Sequence, residues 1–261
     1  MRRLARLTAF ALVFCLCACR GQKVPSGAEL VFDVDFSPDG QKINEPPKTV
    51  ESGKTEVWPQ HVPSAVFFGH PMVVERFCGL EHQPLRLTAA TGDSNSEGVV
   101  FSLDPRWGQY HFELDLCVNQ LDVADTRNHD APVVVFLDMI NAHAIGLDPA
   151  GQIVVTVPST DPNHPALPQK IGSWLRRKPV HVAVDVDFEQ KTWRIALDGK
   201  TALSDTPISI NVPGSMRVMV RGNSTAQAAV DNVLIWGQHD RLAGQEDSDD
   251  VPETPDEPET K

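Results

Sequence analysis

Several chemistries are missing from this chain. It has one tyrosine, Tyr110, and aromatic residues make up only 7% of its 261 positions, so an aromatic binding surface has few residues to draw on. No two histidines stand four apart and no Cys-x-x-Cys occurs, which disfavours a structural zinc site. There is no glycine-rich phosphate loop, no Gly-x-Ser-x-Gly elbow and no nucleophile-triad spacing. Basic residues number 23 against 35 acidic, a net charge of −12, which is the wrong sign for a nucleic-acid-binding surface. The longest apolar run has about a dozen residues, short of the ~20 that a membrane span needs. No run of helical period exceeds about two turns.

What is present sorts first into two ends and a middle. Arg2, Arg3 and Arg6 precede the apolar run LTAFALVFCLCA, the layout of a secretion signal. The run closes on Leu16-Cys17-Ala18-Cys19, which resembles the lipobox of bacterial lipoproteins, with Cys19 as the residue that is lipidated. The resemblance implies a signal peptide over 1–18 and anchoring by an N-terminal lipid. Arg20, standing where inner-membrane lipoproteins usually carry Asp, implies the outer membrane. Residues 19–28 then form a polar tether. At the other end, 241–261 is acidic, punctuated by proline and poor in large apolar residues, which predicts a disordered tail. Cys78 and Cys117 are left in the middle. In an exported domain they form either a disulfide or two buried thiols.

Residues 29–240 read as strand after strand. In Trp107–Asn119, Tyr110, Phe112, Leu114, Leu116 and Val118 point one way, and His111, Glu113, Asp115 and Cys117 the other. That period of two marks a strand with one face in a core. Similar short runs recur from Leu30 to Trp236, including 132–140, 180–188, 192–197 and 207–212. They are separated by Gly, Pro, Asn and Asp; Asp198-Gly199 is a hairpin signal. Residues 170–178 are the best candidate for a short helix. A dozen short strands predict an all-β sandwich or barrel.

The order of three motifs is informative: Trp174 followed by His181-Val182-Ala183-Val184-Asp185, then Trp193-Arg194-Ile195-Ala196-Leu197-Asp198-Gly199, then Asp231-Asn232-Val233. Together they resemble the concanavalin A-like lectin/glucanase superfamily, in particular its LamG-like jelly rolls. The resemblance implies a sandwich of two antiparallel sheets and a function connected with glycans. It also implies where chemistry would lie. Retaining glucanases of that superfamily carry Glu-x-Asp-x-Glu on one strand; here Glu113-Leu114-Asp115 matches the first half and Cys117 stands where the acid/base would be. Retaining hydrolysis needs two carboxyls ~5–5.5 Å apart, so that departure removes the proton donor. A lyase would need a base, His111 or His181, beside an arginine that neutralises a uronate. Calcium is held in some related sandwiches where the first and last strands meet, which makes Asp33, Asp35 and Asp231 the candidate ligands.

Binding without chemistry calls for exposed aromatic platforms and planar polar groups. Trp58 and Trp107 are the foremost candidates, with Trp174 a third, and Arg194 and Arg217 the cationic partners; Trp193 and Trp236 read as core or edge packing. The expectation is therefore a lipid-anchored envelope protein with a non-catalytic glycan-binding or adhesion module. The alternatives are a carbohydrate-active enzyme using a His/carboxylate/Arg sheet face, and a structural lipoprotein that binds a protein partner.

Overall fold

The structure is a computed structural model and describes residues 24–34, 36, 44, 50–51, 64–90, 96–104, 106–123, 135–139, 143–156, 168–208, 214–222 and 224–240. Sixteen strands run through these residues: β1 (Glu29–Val34), β2 (Val50–Glu51), β3 (Ser64–Phe68), β4 (Met72–Val73), β5 (Leu85–Ala89), β6 (Glu97–Ser102), β7 (Trp107–Val123) and β8 (Val135–Met139) in the first half. The second half holds β9 (His143–Leu147), β10 (Gln152–Thr156), β11 (Gln169–Ser173), β12 (Val180–Asp187), β13 (Thr192–Leu197), β14 (Lys200–Pro207), β15 (Ser215–Val220) and β16 (Ser224–Asp240). No helix occurs among the described residues.

The strands form two antiparallel sheets. The first has the order β14-β13-β12-β7-β16-β5-β4, with β1 also paired to β16; the second has the order β11-β10-β9-β8-β15-β6-β3-β2. The chain crosses from the first sheet to the second between β7 and β8, returns between β11 and β12, and crosses and returns again around β15. This is an all-β jelly-roll sandwich of two antiparallel sheets, the architecture expected from the sequence. The long strands β7 and β16 pair along most of their length and form the middle of the first sheet.

The alternation in β7 decides which face is core. Tyr110, Phe112, Leu114, Leu116 and Val118 are all buried against the second sheet, whose contribution includes Val99, Phe101, Ile145, Ile153, Met216 and Val218. Phe32 meets Phe101 edge to face at 5.3 Å. Each large apolar side chain so buried stabilises the fold by about 1.5–3 kcal/mol. Tyr110 also satisfies its polar end, its hydroxyl donating to the Asp104 carbonyl at 2.6 Å. Burial, then the nearby Asp104 carboxylate, pushes this phenol above its ordinary range.

Two expected elements differ. The expected helix at 170–178 is instead the edge strand β11, because β10 offers an unpaired backbone edge that pairs from Gln152–Ser173 to Val155–Gln169. Trp174 then ends the strand, its backbone N–H bonding to Gly151 and its indole N–H to the Asp148 carbonyl. Of the expected strand at 207–212, Pro207 is instead the last residue of β14 and Ile208 lies in no strand, while 209–212 lie outside the described residues. The Asp198-Gly199 turn is where its sequence places it. Both residues have positive φ, 49° and 75°, the geometry that lets a two-residue hairpin follow the twist of its strands.

Candidate functional site

The outward face of the first sheet carries four cross-strand rows of side chains. Reading from β13 through β12 and β7 to β16, the first row is Thr192, Asp187, Gln109, Gln238, and the second is Arg194, Asp185, His111, Trp236. The third is Ala196, Ala183, Glu113, Leu234. The fourth runs from His181 through Asp115 to Asp231. Period-two alternation puts all of these opposite the core.

The rows are joined by one chain of polar contacts. His111 directs Nδ1 at Asp185 Oδ1, 2.6 Å away, and Nε2 at Glu113 Oε1, 2.8 Å away. Both nitrogens face carboxylates, so the ring donates twice, as only an imidazolium can. Burial alone would depress its pKa, but the hydrogen bonds to Asp185 and Glu113 outweigh that and lift it to about 9. Glu113 is itself buried, and its Oε2 lies 3.6 Å from His181 Nε2. His181 turns Nδ1 to Asp115 Oδ1 at 2.8 Å, and Asn232 donates to Asp115 Oδ2 at the same distance. The sequence Asp185–His111–Glu113–His181–Asp115–Asn232 is thus continuous.

Asn232 owes its place to a β-bulge. Asp231 pairs with Asp115 and Leu234 with Glu113, so β16 spends one more residue than β7 over this stretch. Asn232 takes the positive φ, 50°, and its backbone N–H bonds to its neighbour's carboxylate, Asp231 Oδ1. Asn and Asp tolerate this conformation better than other residues with a Cβ. The bulge reverses the parity of the strand. Ala228 and Val230 face the core before it; Val233 and Ile235 face the core after it. Trp236 is thereby turned outward, where its ring stacks on His111 at 4.6 Å and 15°.

Beside this stack runs an open groove of about 320 Å³ whose lining includes Gln109, Asp185, Asp187, Arg194, Trp236 and Gln238. Gln238 donates to Gln109 at 2.5 Å and Gln109 to Asp187 at 2.7 Å, so the planar amides are held in fixed orientations. Arg194 approaches Asp205 at 3.8 Å with more than half of both side chains exposed. The other half of the same face is covered. A turn carrying Phe77, Cys78 and Leu80 lies over Cys117 and Ala229, and Cys78 and Cys117 are joined as a disulfide. Arg177 ties the neighbouring turn down through the Val118 carbonyl and the Asn119 side chain.

The sequence candidates divide accordingly. His111, Glu113, Asp115 and His181 meet in one network, and Arg194 stands one row away. Arg217 does not join them: β15 belongs to the second sheet, on the opposite side of the sandwich. Trp107 is not an exposed platform. It is 7% exposed, lies under the Arg106 guanidinium at 4.2 Å and packs where Gly237 leaves room for its ring. Trp174 is half-buried with its indole N–H satisfied. Asp231 is buried beneath the bulge and Asp33 is exposed on β1; among the described residues no group of three His, Cys, Asp or Glu is arranged to hold a metal ion. Trp58, Asp35 and Cys19 lie outside the described residues. Trp236 and the amides of Gln109 and Gln238 are groove residues that the sequence did not single out; alternation places Gln109 on the His111 face, but Trp236 and Gln238 lie beyond the bulge. The signal for the first was the Asp231-Asn232 pair inside a strand, which marks a bulge.

The arrangement constrains chemistry. Glu113 and Asp115 share a face, as their spacing requires, but the third position on that face is half of a disulfide, and no carboxyl stands there. The single tyrosine is on the core side with its hydroxyl engaged, away from His111.

No protein-family model matches the chain, and no curated protein matches it. Solved structures do. A sialidase superposes with a TM-score of 0.50 at 14% identity over 83% of this chain, which spans only 19% of that protein. The binding domain of Paraclostridial Mosquitocidal Protein 1 superposes with a TM-score of 0.50 at 13% identity, over 80% of this chain and 49% of that one. Domain 4 of an extracellular arabinanase from Geobacillus stearothermophilus, solved with arabinotriose, gives 0.48 at 14% identity over 81% of this chain and 94% of that domain. At these identities the likeness concerns the sandwich fold.

Proposed function

We propose that this chain is an envelope protein, anchored through a lipid on Cys19 to the outer membrane, whose LamG-like jelly roll binds glycans without transforming them. The observation that carries this reading is the groove beside Trp236. An aromatic ring half-buried and braced by His111 offers a flat apolar face. Gln109, Gln238, Arg194 and Asp185 surround it with planar hydrogen-bonding groups, the combination that the alternating CH and OH faces of a sugar require. The groove is open along the sheet and suits a chain better than a small enclosed ligand.

A second reading, a polysaccharide lyase or glycosidase, is favoured by the convergence of His111, Glu113 and His181. Against it, both nitrogens of His111 are engaged by carboxylates, and its high pKa leaves no lone pair to accept a proton at neutral pH.

A glycan array and a polysaccharide-depolymerisation screen on the purified full chain separate the two. Retention of at least one glycan is expected, with Trp236→Ala weakening it at least about tenfold through loss of the stacking face. An array without retained glycans sinks the binding reading, and new chain ends in the depolymerisation arm move the assignment to the enzyme.

A further inference from the structure

The groove carries more negative than positive charge. Asp185 and Asp187 from β12 and Asp205 from β14 edge it. Among the described residues two cations face them, and each is already shared. Arg194 lies 3.8 Å from Asp205, and His111 stands between Asp185 and Glu113. Asp187 is held in another way. It accepts from the Gln109 amide at 2.7 Å and from the backbone N–H groups of Glu189 and Gln190 at 2.9 and 2.7 Å. Those neutral donors fix the orientation of its carboxylate without supplying a positive charge.

Fixed charges of one sign lining a cleft raise the local concentration of ligands of the other sign and repel their own. A uronate or sialate would bring a carboxylate against Asp185, Asp187 and Asp205 with one partly committed guanidinium to meet it. Such a like-charge encounter discriminates against those glycans.

Building on the glycan reading of this groove, we propose that its ligand is a glycan with free amino groups, an amino-sugar chain whose ammonium groups sit against the Asp187 edge, and that uronic- and sialic-acid glycans are rejected. A sugar ring stacked on Trp236 places its substituents over its own row and the row beside it. Asp185 and Asp187 lie in those rows, two residues apart on the same face of β12.

Calorimetric titration of the full chain with three oligosaccharides of equal length tests this: a glucosamine oligomer, its N-acetylated counterpart and an oligouronate. The free-amine oligomer is expected to bind about tenfold tighter than the acetylated one at low salt, because a few partly solvated carboxylates act on each ammonium. The advantage is expected to vanish near 1 M salt, where the Debye length is ~3 Å. Asp187→Asn, and separately the exposed Asp205→Asn, are expected to lower the ratio of the two affinities. Equal or tighter binding of the acetylated oligomer, or binding of the oligouronate, overturns the amine assignment and leaves the glycan reading standing. Absence of binding to these three and to every glycan on the array removes both.

Discussion

Replacing His111 tests the polar network directly. In the unfolded chain a histidine titrates near 6.5, whereas in the fold Asp185 and Glu113 hold His111 protonated to about 9. That gap amounts to about 3 kcal/mol of stability. The sign follows from linkage. A group whose pKa rises on folding contributes fully below its unfolded value and loses that contribution as pH climbs through the folded one. The protein should therefore be most stabilised by this site below pH 6.5 and lose about 3 kcal/mol between there and pH 9.5. His111→Gln keeps a donor but cannot titrate, so its stability should change little across the same window apart from background effects common to both proteins. Urea unfolding followed by tryptophan fluorescence at pH 6, 7.5 and 9.5 measures the difference between the two curves. Parallel curves for the two proteins, or a wild type that gains stability as pH rises, would refute the assignment of a charged imidazole between two carboxylates.

Three further outcomes follow from other parts of the molecule. Removing the disulfide with Cys78→Ala and Cys117→Ala should cost about 4 kcal/mol, from the loop entropy of a 39-residue separation. Because the bridge covers the far half of the face, glycan affinity at the groove should stay within about twofold; a loss as large as that of Trp236→Ala would show that the two halves are not independent. Gly237→Ala would place a methyl group 2.5 Å from the Trp107 ring, so a thermal melt should report a loss of about 1–3 kcal/mol; an unchanged melting temperature would mean that this ring is not tightly seated. Cys19→Ser should release the protein from the membrane fraction and abolish labelling with a palmitate analogue, and continued membrane association would rule out the lipid anchor.

The sheet architecture was legible because β7 alternates without interruption from Tyr110 to Val118, and one such stretch sets inside and outside for its neighbours by pairing. His181 and Asp185 could be placed on the outward face of β12 by the same logic, since β12 alternates as cleanly, and it is the pairing of β12 with β7 that brings them to His111. Arg217 has the same local pattern but lies across the sandwich, because alternation assigns a face and says nothing about which sheet a strand joins. Trp107 looked exposed at a strand start, yet Arg106 and the missing side chain at Gly237 provide it with a buried seat; a glycine on a partner 130 residues away has no local signature. At 170–178 the best candidate for a short helix became a strand, because an unpaired edge on β10 overrode the local preference.

The bulge at Asn232 divides β16 into two reading frames. Upstream of it the even-numbered residues make core and the odd-numbered ones face outward; downstream the assignments are exchanged. A substitution anywhere in the strand alters one residue of one surface. Deleting Asn232 would remove the extra residue and restore one-to-one pairing with β7, leaving Ile235 inside and Trp236 outside. Deleting Val233 with the bulge kept would instead behave like a frameshift written in three dimensions, sending Trp236 into the hydrophobic layer and Ile235 out to solvent. Tolerance to mutation along β16 should accordingly be set less by which residues are exchanged than by whether their count on each side of the bulge is kept.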